Sequence, residues 1–468
     1  MSSHFQKTHI KAVDTILTEL KDPTEEIHKC GRPCIQLLTL RSPDRLRDLI
    51  RFAREKLHAY PFQYVPTCWR RLYTDASILL AGEGSTLEGC RGQDRSDQGS
   101  LKAGEDDPVG ILDLAIILTG APKRQDLIEE LLEGIEKDLA ELREEKEEDD
   151  GHDMAPAPKR RKVGPEESLP SLSFPAQGST DPDIRHPARH VEGPSALSMT
   201  AFQRLKVPLI IKNAVVEWPA FERWRDPSYL LRRTLNGRRL VPVELGRAYT
   251  DEGWGQAIVP FSQFLDEYIL QGSHEYSKDR VAARSRGKEG EEEVVEPGKI
   301  GYLAQHDLFQ QIPALKNDVL IPDYCYVHAE GGHGDDDDSK PSSPYLNAWF
   351  GSAGTVSPLH TDPYRNVFCQ VVGRKYVRLY APEETNKLYP RGVEEGGVDM
   401  QNTSMVDVEE IESRGAKGKD AEDKFPDFKG ASYVEGILEE GDSLFIPTGW
   451  WHYVRSLTVS FSVSFWFR

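Results

Sequence analysis

A histidine and an aspartate two positions apart, His360 and Asp362, are the first residues of this chain whose types and spacing suggest chemistry. Residues i and i+2 of a strand point to one face, so the imidazole and the carboxylate project together while Thr361 points away. Such a pair supplies two ligands of a 2-His-1-carboxylate set, which leaves three adjacent coordination positions open and suits non-haem Fe(II). Pro363 then stops the strand, because it has no N–H to donate. Taken alone, His-x-Asp is more often a solvated strand end. The best third ligand is His452, within 441–454, a stretch that reads as strand, Pro447-Thr448-Gly449 turn, strand. Trp451 and Tyr453 flank His452 and are expected to face the opposite way.

Two further charged residues sit within strands, and one of them, Lys375, is phased inward. Lys375 shares a strand face with Val377 and Leu379, whereas Arg374, Tyr376, Arg378 and Tyr380 take the other. A buried lysine is costly unless an anion meets it; the alternative is a lysine snorkelling at a sheet edge. Glu244 lies mid-strand between Val243 and Leu245, and a carboxylate there needs a partner. A structural ion pair with a nearby arginine is the plain reading.

The blocks 347–380, 441–454 and 460–466 resemble a jumonji-C domain. More narrowly, they resemble the jumonji-C protein-arginine hydroxylases whose members also carry the name lysine-specific histone demethylase. The likeness extends to Gly301-Tyr302-Leu303-Ala304-Gln305-His306, to Ile321-Pro322-Asp323-Tyr324-Cys325 and to Val241-Pro242-Val243-Glu244-Leu245-Gly246. It covers roughly the C-terminal three-fifths of the chain. The resemblance implies Fe(II) at His360, Asp362 and His452, the catalytic centre, with 2-oxoglutarate and O2 as cosubstrates. Lys375 would pair with the distal carboxylate of 2-oxoglutarate, and Tyr302, Ser357 and Asn366 would hydrogen-bond it. Glu244 would receive a substrate guanidinium, with Tyr249, Trp254 and Trp349 as aromatic walls; Trp466 also matches an aromatic position near the site. On this likeness the chain is expected to be a protein oxygenase that hydroxylates an arginine. Histone lysine demethylation and a non-enzymatic chromatin adaptor are the alternatives; the intact ligand set argues against the adaptor.

The rest of the chain must position these residues. At 468 residues two domains are expected. Residues 1–148 read as a helical bundle: Phe5, Ile10, Val13, Ile16, Leu17 and Leu20 follow one stripe, Ser42-Pro43 opens a second helix, and 111–118 is nearly all apolar. Leu127, Ile128, Leu131, Leu132, Ile135, Leu139 and Leu142 mark the clearest amphipathic helix. Residues 149–187 are rich in charge, Pro, Ser and Gly and read as a disordered linker. Within it, Pro158-Lys159-Arg160-Arg161-Lys162-Val163 resembles a nuclear import signal. Residues 188–468, opening with a strand at 207–211, read as short strands with Gly and Pro turns, closing as a double-sheet jelly roll of the cupin type. Polar insertions interrupt it near 280–299, 330–343 and 413–424. The expected class is therefore α+β, a helical bundle followed by a jumonji-C β-helix.

Net charge is −19, from 77 acidic and 58 basic residues. Generic phosphate-backbone binding is not expected, so direct nucleic-acid binding is not either. Basic proteins such as histones, ribosomal or chromatin proteins suit this charge. The six cysteines show no Cys-x-x-Cys pair, which argues against a structural zinc site or a disulfide framework. No signal peptide and no membrane-spanning apolar run are expected, and the localisation expected is nuclear, with cytoplasmic presence allowed.

Overall fold

The computed structural model describes residues 3–82, 107–150, 173–175, 181–251, 253–270, 299–327, 343–393, 399–413 and 415–467. The basic run 158–163 and most of the first two polar insertions lie outside them. The chain divides into two compact units. The first comprises Met1–Pro170 with Leu235–Leu240 and Ile258–Pro260; the second comprises Ser171–Thr234, Val241–Ala257 and Phe261–Arg468.

The first unit is helical. Its long helices are α1 (His4–Glu19), α2 (Arg32–Leu40), α3 (Pro43–His58), α4 (Thr67–Ala81), α5 (Pro108–Thr119) and α6 (Gln125–Asp150). Phe5, Ala12, Val13 and Ile16 of α1 enter its core, but Ile10 is 60% exposed. Ile10 lies five positions after Phe5, which turns it about 140° away on a helix. Pro43 opens α3 at its first turn, yet the Ser42 side chain makes no capping bond. Composition did not reveal a buried ion network. Asp75 is fully buried and accepts from Arg124 Nε at 2.7 Å, while Arg124 and Arg71 both reach Glu19.

The second unit is built from two sheets. The larger runs β1 (His190–Glu192), β2 (Leu209–Lys212), β11 (Ser443–Ile446), β8 (Arg365–Val372), β13 (Ser460–Phe467), β6 (Tyr345–Gly351), β5 (Gly301–His306), β3 (Leu240–Leu245) and β4 (Gly255–Pro260). The smaller runs β10 (Tyr433–Leu438), β9 (Lys375–Tyr380), β12 (Trp451–Ser456) and β7 (Val356–His360). β2 starts at Leu209 rather than Val207, because Pro208 cannot donate to a ladder and Val207 is 37% exposed. Phe368, Leu444 and Ile446 of the larger sheet pack on Val377, Leu379 and Val454 of the smaller. Side chains one position along, Leu359, Tyr376, Tyr380, Trp451 and Tyr453, enter a second core on the other face. Part of that face is covered by the third polar insertion, which folds as a helix over Ala416–Lys424 and buries Ala421. This is the α+β architecture expected: N-terminal helices and a C-terminal two-sheet jelly roll.

Strand β13 shows why small polar residues alternate with large ones there. Ser460, Ser462 and Ser464 are fully buried at sheet centre. The Ser462 hydroxyl donates to Gln370 at 2.7 Å, and the Ser464 hydroxyl accepts from the Trp349 indole at 2.9 Å. Each buried hydroxyl is therefore paired, as its burial requires.

Candidate active site

The two histidines meet across neighbouring strands. His360 at the end of β7 stands directly opposite His452 on β12, their ring centroids 4.2 Å apart. Asp362, two residues on, brings Oδ1 to 3.9 Å from His360 Nε2 and Oδ2 to 3.5 Å from His452 Nε2. One ligand atom from each of the three lies within 4.8 Å of the others.

Each imidazole is oriented by its own strand. His360 Nδ1 lies 2.7 Å from the Pro358 carbonyl and His452 Nδ1 lies 3.1 Å from that of Trp450. A carbonyl can only accept, so each Nδ1 carries the proton and each Nε2 lone pair is free for a metal. Burial, with His452 beside it, pushes the His360 pKa down to about 4, which keeps that ring neutral. Burial alone would raise the Asp362 pKa. The close approach of His452, His360 and Asn366 outweighs it and holds the carboxyl below its usual range. Two imidazole nitrogens and one carboxylate form the donor set that suits a non-haem iron.

Cosubstrate candidates lie on the same side. Lys375 is fully buried, and its Nζ donates to the Tyr302 hydroxyl at 3.1 Å. No carboxylate pairs with it among the described residues, and burial lowers its pKa to about 7. Asn366 is 3% exposed, and its Oδ1 has no hydrogen-bond partner among the described residues. An unpaired buried cation and an unpaired buried amide oxygen are groups that a polar ligand would satisfy. The residues present therefore fit a metal-bound dicarboxylate.

Ser357 and His360 are three residues apart, so strict alternation would set them on opposite faces. The pairing shows how they come to line one cavity. Val454 pairs with Ser357 and His452 with His360, so β7 carries one extra residue, a β-bulge that re-aims its side chains. Gly351 makes the room for Tyr302, since a Cβ there would come within 2.6 Å of the Tyr302 ring.

A cavity of about 110 Å3 opens over the triad, with Glu244, Tyr249, Tyr302, Trp349, Ser357 and Trp466 in its lining. Glu244 on β3 pairs in register with Tyr302 on β5. It has no lysine or arginine partner among the described residues, so the structural ion pair is not formed there. Burial raises its pKa, opposed by the Trp254 indole, which lies close without making a hydrogen bond of good geometry. Trp254 thus stands by Glu244, while Tyr249 and Trp349 line the cavity itself.

Two lining residues were not legible in the sequence. Gln305 adopts φ +47 where β5 slips register between Leu303 and His306, a left-handed conformation that costs a non-glycine residue about 1–3 kcal/mol. Asn402 comes from a segment bonded to the edge of β7, where its carbonyl accepts from Thr361 N at 2.8 Å. Both lie in loops or irregular strand, where side-chain period carries no signal.

The cupin-like domain family matches residues 194–468. Over 435 residues the chain is 35% identical to "Lysine-specific demethylase 8" of Danio rerio, covering 91% of this chain and 87% of the relative. It is 33% identical to the protein of the same name from Xenopus tropicalis, covering 97% and 95%. It is 42% identical to "JmjC domain-containing protein D" of Dictyostelium discoideum, over 55% of this chain and 50% of that one. With the jelly roll, the His-Asp-His cluster and these relatives, the chain belongs to the cupin-like JmjC family and is a 2-oxoglutarate-dependent dioxygenase.

Proposed function

We propose that this dioxygenase uses Fe(II), 2-oxoglutarate and O2 to hydroxylate an arginine side chain of a basic protein. The observation that carries the arginine reading is Glu244: a largely buried carboxylate in the triad's own cavity, with no cation beside it among the described residues. A guanidinium is the planar, forked cation that answers a carboxylate through two hydrogen bonds.

In this reading His360 and His452 hold iron through Nε2 and Asp362 holds it through its carboxylate. Lys375, with Tyr302, Ser357 and Asn366, receives 2-oxoglutarate. When bound, iron with 2-oxoglutarate and O2 supplies an oxidant for a C–H bond; one oxygen enters the substrate and the other leaves in succinate, with CO2 released. The chain's own work is to position and to exclude water. Glu244 fixes the guanidinium, and Tyr249 and Trp349 flank the aliphatic stem. Within the same proposal, residues 1–148 form a helical domain, 149–187 a linker and 188–468 the catalytic domain. The linker's basic run directs the protein to the nucleus, where histones and other basic chromatin proteins are the substrate class suited to a charge of −19.

Histone lysine demethylation is the second reading, and a specific observation favours it. Tyr249, Tyr302, Trp349 and Trp466 all line the cavity, and aromatic faces attract methylammonium groups. Several relatives also carry the name lysine-specific demethylase.

The test is mass spectrometry of matched peptides, one presenting arginine and one presenting methyl-lysine, after incubation with Fe(II) and 2-oxoglutarate. Arginine hydroxylation appears as the gain of one oxygen with no methyl lost, and Glu244→Ala lowers it. Methyl loss with formaldehyde release, indifferent to Glu244→Ala, would replace the arginine reading with the demethylase.

A further inference from the structure

Most polar side chains around the metal-side cavity already have a task. His360 and Asp362 belong to the triad, Tyr302 bonds Lys375, the Tyr249 hydroxyl meets Thr403 at 3.3 Å, and Glu244 awaits a cation. Asn402 is different. It is exposed at the cavity mouth, and its carboxamide is only loosely engaged. Nδ2 reaches the Thr361 carbonyl at 3.3 Å, and Oδ1 accepts from Thr403 Oγ1 at 3.4 Å. Both contacts are at the long, weak end for hydrogen bonds, so exchanging them for other partners costs little.

The backbone under that side chain is held firmly. Thr361 N donates to the Asn402 carbonyl at 2.8 Å, and Ser404 N donates to the Leu359 carbonyl at 2.8 Å. Thr403 bridges to His360 as an added edge pair. Asn402 is thereby pinned beside Thr361, the residue between two triad members, with a side chain free to choose its partner. A fixed main chain carrying an adaptable polar group is what a recognition position requires. A carboxamide offers one acceptor and a pair of donor hydrogens, the complement of a peptide group's N–H and C=O.

We propose that Asn402 is a specificity-determining residue that holds the main chain of the substrate next to the modified side chain. The inference rests on the reading that a protein segment enters this cavity, and it holds for either target residue. Glu244 reads the side chain that goes in; Asn402 reads the backbone that stays at the mouth.

The probes are two short synthetic peptides of Gly and Ala, one with a central arginine and one with a central methyl-lysine. Each is prepared also as a set N-methylated at one peptide bond at a time. The full chain is loaded with Fe(II) and 2-oxoglutarate, and KM and kcat are measured for wild type and Asn402→Ala, with circular dichroism to check folding. For the peptide that turns over, Asn402→Ala raises KM about 5–10-fold, the loss expected for one to two net hydrogen bonds, while kcat holds. N-methylation at one bond next to the target weakens wild type by a similar factor and adds nothing in Asn402→Ala, a position-specific non-additivity that a scaffolding role would not produce. Unchanged KM, additive effects at every bond, or no turnover of either peptide would overturn the proposal. Turnover of the methyl-lysine peptide alone, with the non-additivity intact, sinks the arginine reading and leaves Asn402 in place.

Discussion

Replacing Lys375 by methionine removes the one charge that 2-oxoglutarate's distal carboxylate would meet, while keeping most of the side chain's volume. The ammonium is fully buried, 3.1 Å from the Tyr302 hydroxyl and 5.1 Å from the Phe368 ring centroid, with no carboxylate to neutralise it among the described residues. Removing one partner of a buried ion pair costs about 3–5 kcal/mol. At about 1.4 kcal/mol per decade, KM for 2-oxoglutarate should rise between roughly 10² and 10³.⁵-fold. The lowered pKa of about 7 fixes the pH dependence. Below it the free site is already charged; above it a proton must be taken up with the cosubstrate. Apparent affinity is therefore greatest below pH 7 and falls about tenfold per unit above, until the raised pKa of the complex is reached. Stability runs the other way. The folded pKa lies below the unfolded one, so burying the charge weighs on the fold below pH 7 and is relieved as pH climbs toward 10.5. Lys375→Met should thus melt higher than wild type at pH 6 without cosubstrate, even as activity falls. Succinate release against 2-oxoglutarate concentration, from pH 6 to 8.5, and a melting curve test both halves. An unchanged KM in Lys375→Met, or a flat wild-type profile, would refute the reasoning.

Alanine at His360, Asp362 or His452 should abolish succinate release and leave the circular dichroism spectrum native, since all three line one small cavity; full activity in Asp362→Ala would discard the metal assignment. Asp75→Ala should destabilise the helical unit by about 1.5–3 kcal/mol, the worth of a hydrogen bond to a charged group, because Arg124 and Arg71 lose their fully buried partner and keep only Glu19 and Glu25; urea unfolding of the full chain reads this directly. Alanine at all four of residues 159–162 should cut the nuclear fraction of a fluorescent fusion; an unaltered distribution would remove the import role.

The metal ligands were legible because His360 closes β7 and Asp362, two positions on and just past the strand, still reaches the same cavity. Trp451 and Tyr453 turn away from His452, as alternation requires. Lys375 was legible for the same reason, on a face with Val377 and Leu379. The period fails where the ladder does. Ser357 reaches the His360 side through a bulge, and the resemblance, not spacing, pointed to it. Gln305 and Asn402 had no signal, since a register slip and a loop segment carry no phase. In the helical unit, the apolar stripes located the core but misassigned Ile10, and the Asp75–Arg124 network was invisible because charged residues on a helix are usually solvated.

The two carbonyl contacts that set the imidazole tautomers span only two residues each, Pro358 to His360 and Trp450 to His452. The information that readies each nitrogen for a metal is therefore carried within a three-residue word of the chain, with no distant carboxylate to keep it in place. Most metal sites depend on an outer partner that must co-evolve with its ligand. Here the surroundings can drift, and loops can lengthen or be replaced, without scrambling which nitrogen would face a metal. Such a site can be transplanted between jelly rolls as two short words, which leaves the walls around it free to diversify in what they admit.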